Sequence, residues 1–224
     1  MTERLTKLTT LLVSTAISAF PSASLTAAEP AATAKEYTAV YQVLRNDKNL
    51  AEVTVRLSEE DGVWTLHGFT HDLQGLADLL NVKGVQTVTG RWLNGGLVPE
   101  NYDFSFSLIG YKTNWNADFD WSTGIVTTRT KSGKSKLPLA SGAVDPFSLS
   151  LNIRSYLASN QAQVAVDVIN EDEIENHVYQ ADREEPVNTA LGCLQTTRVK
   201  RIRKSSKRTS LVWYANDHSY VPVL

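Results

Sequence analysis

The side chains best able to move a proton or bind a metal near neutral pH are four histidines, His67, His71, His177 and His218. Either task requires them to converge with carboxylates or a nucleophile. Only His67 and His71, beside Asp72, lie close together in sequence. On an extended strand His67 falls on the face opposite Trp64 and Leu66, toward solvent. No serine stands in a nucleophile-elbow pattern, and the single cysteine, Cys193, has no histidine near it in sequence. Asp118 and Asp120 share one strand face, a spacing that could present paired carboxylates for glycoside chemistry. They also border a turn, where aspartate is favoured for its local backbone bonding, and that explanation is the simpler one. The sequence therefore assigns no catalytic residue, no metal ligand and no cofactor, and is read as that of a non-enzyme.

Two other groups of residues could recognise something without reacting with it. Arg198, Arg201, Arg203 and Lys207, with Lys200, Lys204 and Arg208, concentrate positive charge on one hairpin. Such a surface suits an anionic headgroup or a protein partner. The same charges would equally protect an exposed strand edge from aggregation. Nucleic acid is a poor fit, because no aromatic residues interleave the charges and the net charge is −2. Trp64, Phe104, Phe106, Trp115 and Trp213 fall on apolar faces of alternating strands. They either fill a core or line a cavity suited to an acyl chain.

The elements that carry these residues are mostly strands. Tyr37, Ala39, Tyr41 and Val43 share one face, as do Ala51, Val53, Val55 and Leu57, with a turn at residues 46–49 between them. Asp61-Gly62 marks a tight hairpin. Residues 71–81 place Leu73, Leu76, Ala77 and Leu80 at helical spacing. Strand alternation returns at Tyr102, Phe104, Phe106 and Leu108, and again at Thr113, Trp115, Ala117 and Phe119. Asp145 and Pro146 then carry the cap and first-position signature of a second helix, expected to end near Ser159-Asn160. Val164, Val166 and Val168 lead into an acidic loop at residues 171–175, a strand around Val178, and a final hairpin from Cys193 to Ala215. About twelve strands and two short helices predict an all-β fold, one curved antiparallel sheet forming a half-barrel or barrel. The helices would sit over its mouth as plug or lid.

The N-terminus carries a different signal. Arg4 and Lys7 precede an apolar run at residues 8–20, Pro21 breaks it, and small residues follow to Ala28. This is the pattern of a cleavable secretory signal over residues 1–28, with Ala23 as a second cleavage position. A flexible tail (29–35) and one β-barrel-like domain (36–224) follow. The expected product is periplasmic, has no disulfide to form, and has no transmembrane segment in the mature chain. Cys193 is read as a small apolar residue entering a strand.

Several phrases together resemble a known family. They are WLNGGLVPENY from Trp92 to Tyr102, Asp118-Phe119-Asp120-Trp121 with Gly124, and Leu137-Pro138-Leu139 leading to Asp145-Pro146. The basic hairpin, Trp213 and Tyr220-Val221-Pro222-Val223 complete the set. This pattern is similar to the bacterial exported family called domain of unknown function 3108, over nearly the whole mature chain. The resemblance implies a periplasmic, β-rich protein and brings no catalytic residues. Gly192-Cys193 departs from the family's usual turn, and the chain ends sooner after Tyr220 than its pattern leads one to expect. By fold analogy with curved periplasmic lipoprotein carriers, the expected partner is an apolar small molecule or lipid-like envelope ligand. One alternative is an envelope assembly or scaffold protein that contacts another protein through its surface, and a second, less favoured one is a hydrolase using His67, His71 or Asp118.

Overall fold

Alternation of apolar and polar residues gives a chain that folds back on itself again and again. The computed structural model describes residues 35–71, 73–93, 95–203 and 208–224. The expected signal segment lies outside the described residues. Eight strands come first: β1 (Tyr37–Arg45), β2 (Lys48–Glu60), β3 (Val63–His71), β4 (Lys83–Leu93), β5 (Gly96–Leu108), β6 (Tyr111–Asp120), β7 (Ile125–Thr130) and β8 (Gly133–Pro138). Each pairs with the next, so β1 and β8 are the free edges of an open sheet. The β1–β2 register sets Tyr37 opposite Leu57, Ala39 opposite Val55 and Tyr41 opposite Val53, which puts both apolar sets on one face. Asp61 and Gly62 adopt φ values of 51° and 75°, the left-handed pair that a two-residue hairpin needs.

After β8 the chain forms helix α2 (Leu149–Ala158) and a second sheet. Its strands are β9 (Gln163–Asn170), β10 (Glu173–Thr189), β11 (Gly192–Ile202), β12 (Leu211–Ala215) and β13 (Val221–Pro222), in spatial order β13-β12-β11-β10-β9. The architecture is a curved antiparallel half-barrel with two helices. The strands divide between two sheets where a single sheet was expected. A parallel bridge between Val144 and Val168 ties the segment before α2 to β9. One apolar core spans both sheets and the helix, from Trp64, Leu66, Val88 and Trp115 through Leu151 and Leu157 to Val168, Val199 and Tyr214.

The two helical expectations fare differently. The first helix shrinks to one turn, α1 (Leu76–Leu79). The backbone before it is drawn to the sheet, with the Gln74 amide donating to the Leu50 carbonyl. The second begins three residues later than its sequence signature suggests, although Asp145 caps its entry. The Asp145 carboxylate accepts from the Phe147 and Ser148 amides, both at 2.8 Å, and from the Ser148 hydroxyl. It therefore holds the turn that leads into α2.

Candidate functional site

The sequence-derived aromatic set separates into two places. Trp64 and Trp115 are buried in the core, and Phe104 packs against it. Phe104 lies directly opposite Trp115 in the β5–β6 register, and Phe106 follows two residues along on the same face. Trp213 stands apart from these four. It pairs in register with Arg198 on the outer side of the small sheet, where its indole donates to Glu185 at 2.7 Å and Arg198 lies 6.0 Å from its ring.

Of the basic candidates, Arg198, Arg201 and Arg203 are already occupied within the fold. Arg198 is ion-paired with Asp182 and Glu185. Arg201 reaches Glu175 at 3.3 Å, and Arg203 donates to the Ser210 hydroxyl at 3.0 Å. Lys207 lies outside the described residues. β11 runs between β10 and β12, so its charges do not guard a sheet edge. Cys193 enters β11 and is exposed there.

Among the described residues the candidate chemical groups lie apart, each bonded within its own neighbourhood. Asp118 pairs with Arg129 at the surface. Asp120 accepts from the Ser122 and Thr123 amides and the Ser122 hydroxyl, which hold its carboxyl near pKa 2. His67 and His71 flank Phe69 in a row of tilted rings on the outer face, bonded to Thr87 and Thr54. His177, which sequence spacing left isolated, has the most built surroundings. It is buried on β10, 2.7 Å from Glu175 and 3.1 Å from the Tyr179 hydroxyl. Asn170 and Arg201 complete the shell around Glu175. Bonding to His177 and Asn170 holds the Glu175 carboxyl down at about 2, while burial pulls His177 below the usual imidazole range. Every member of this cluster is satisfied by the others, as in a structural brace.

The site that stands open is a groove of about 560 Å³ between the free edge of β1 and the C-terminal part of the small sheet. Tyr37, Ala39 and Tyr41 of β1 form one wall, and Val221, Pro222 and Val223 face them. The two walls are separated by most of the chain, yet the Tyr41 hydroxyl donates to the Pro222 carbonyl at 2.8 Å. Leu191 and Leu194, at the β10–β11 turn, close one side. Val40 and Leu191, both among the lining residues, are 58 % and 79 % exposed, so among the described residues apolar surface lies open at the margin of the groove. None of the five aromatics lines it. Sequence reasoning missed it because its walls meet only in three dimensions. The one local signal was Val40, an apolar residue on the outward face of an otherwise alternating strand.

Fold and cleft together define a β-rich protein, an open half-barrel with an apolar groove at its seam. The chain belongs to the family described as Protein of unknown function (DUF3108), whose model matches residues 36–224. A solved structure of a β-barrel-like protein of domain of unknown function DUF1849 from Brucella abortus is similar at 9 % identity, with a TM-score of 0.47 over 77 % of this chain and 79 % of that one. No curated protein matches the sequence. No helix among the described residues is long and apolar enough to cross a membrane.

Proposed function

We propose that this is an exported, non-catalytic periplasmic protein that binds an apolar or lipid-like ligand in the groove between β1 and the C-terminal segment. The observation that carries this reading is the exposed apolar lining, above all Val40 and Leu191, around a cleft of about 560 Å³. That volume lies within the range of roughly 300–1,000 Å³ typical of small-molecule sites. Covering a valine or leucine side chain is worth about 1.5–3 kcal/mol, so an apolar ligand gains by seating here. The reading moves the ligand from the aromatic core face to the sheet seam. Export is supported by the secretory pattern of residues 1–28.

The test is fluorescence titration with N-phenyl-1-naphthylamine, a neutral dye that brightens in apolar sites. The protein should bind it saturably, and Val40→Glu and Leu191→Glu should each weaken binding roughly ten-fold or more. Absence of dye binding, or binding unchanged in both variants, would overturn the reading.

A further inference from the structure

Beneath the groove lies a charge that the fold leaves uncompensated. Arg154, on α2, is 3 % exposed. Its Nε donates to the Ser219 carbonyl at 2.9 Å, an Nη2 contact reaches the Lys35 carbonyl at 3.5 Å, and the guanidinium lies 5.0 Å from the centroid of the Tyr37 ring. Lys35, Tyr37 and Ser219 all line the groove, so the cation sits one layer behind its wall. Nη1 is buried and has no hydrogen-bond partner. Among the described residues no carboxylate pairs with Arg154, and the ionisable groups around it are the phenols of Tyr37, Tyr41 and Tyr214.

A buried guanidinium keeps its proton, and leaving it without an anion is costly. Burial pulls its pKa down, as expected of a cation removed from water without a counter-charge. Helix α2 gains nothing from the charge itself, since a methionine would fill the same stripe between Leu151 and Leu157. A structural strut needs the carbonyl bonds but not a free Nη1. An anion supplied with the ligand would use both.

We propose that Arg154 is the anion anchor of the groove and that the ligand is a single-chain amphiphile with a carboxylate head. This rests on the groove being the binding site. The apolar walls take the chain, and the Nη1 edge of Arg154 takes the head through a charge-assisted hydrogen bond once the Tyr37 side chain yields. A head of one negative charge is the better match, because Arg154 is a single cation and the rim also carries the carboxylates of Glu36 and Asp217.

The experiment displaces N-phenyl-1-naphthylamine from the full chain with dodecanoate, 1-dodecanol and dodecyl phosphate at pH 7.5. Dodecanoate should displace the dye at roughly ten-fold lower concentration than the alcohol, the effect of one charge-assisted bond. Arg154→Gln should abolish that preference, read as the ratio of acid to alcohol concentrations that displace the dye from the variant itself, so that any change in dye affinity cancels. Arg154→Met serves the same purpose should the glutamine variant fold poorly, and the comparison of acid with alcohol needs no variant. Dye binding with equal displacement by acid and alcohol would overturn the anchor and leave the groove reading standing. Preference for dodecyl phosphate over dodecanoate would overturn the carboxylate assignment. Failure of the dye to bind would overturn both readings.

Discussion

Adding a single methyl group at three glycines of the large sheet should destabilise the protein in an order set by what each new Cβ would meet. At Gly90, where the β4–β5 register shifts, it would come within 2.2 Å of the Val98 carbonyl oxygen and 2.4 Å of the Trp64 ring. Neither can give way: one is backbone in the paired strand, and the other is an indole with no exposed surface. At Gly68 the nearest atom is the far edge of the Phe147 ring at 2.8 Å, which can swing aside. At Gly84 the nearest atoms lie at 3.6 Å, ordinary contact. Overpacking a core costs about 1–3 kcal/mol, and a clash with backbone belongs at or above the top of that range. Gly90→Ala should therefore cost about 3 kcal/mol or more, and Gly68→Ala about 1 kcal/mol. Gly84→Ala should be neutral, or stabilising by up to about 1 kcal/mol through the unfolded chain. Urea unfolding followed by tryptophan fluorescence measures all three, and the Gly90 variant should melt roughly 6–12 °C lower. Equal stability of the Gly90 and Gly84 variants would refute the close seating of Trp64 on the β4–β5 bulge.

Two further outcomes follow from the buried polar groups. Glu175 is held near pKa 2, so its contribution is present above about pH 4.5 and is lost as pH falls through 2. His177 is lowered from 6.5, so the unfolded chain takes up its proton first and stability declines as pH falls below that value. With the Glu175 side chain 35 % exposed, solvent screening limits its share to about 1 kcal/mol or less. Thermal melts between pH 7 and 3 should show this decline, and Glu175→Gln should flatten its acidic part; an identical profile for the variant would count against the brace. Asp145→Ala removes the acceptor of three donors at a fully buried position. It should cost about 2 kcal/mol or more in urea unfolding, and a loss below about 0.5 kcal/mol would show that Asp145 does not hold the entry to α2.

Much of the large sheet was legible because its signals are local. Ala51, Val53, Val55 and Leu57 alternate cleanly, and a strand with one face in the core admits one register against Tyr37, Ala39 and Tyr41. Asp61-Gly62 encodes its own turn. The helix expected over residues 71–81 did not extend because its apolar spacing competes with pairing of the adjoining backbone to β2. The division into two sheets was not legible, since strand order depends on pairing between distant segments. The groove escaped for the same reason: Tyr41 and Pro222 have no sequence relationship that announces their contact. Arg154 did leave a trace. It falls three residues after Leu151 and three before Leu157, inside the apolar stripe of α2, where a cation has to be accounted for.

Binding of an apolar ligand at the seam between β1 and the C-terminal strand can be read residue by residue, by amide chemical-shift mapping of the ¹⁵N-labelled protein titrated with N-phenyl-1-naphthylamine. Saturable shifts should gather at Val40, Tyr41, Leu191, Leu194, Val221 and Val223. Shifts centred on Trp64, Phe104 and Trp115, or none at all, would contradict it.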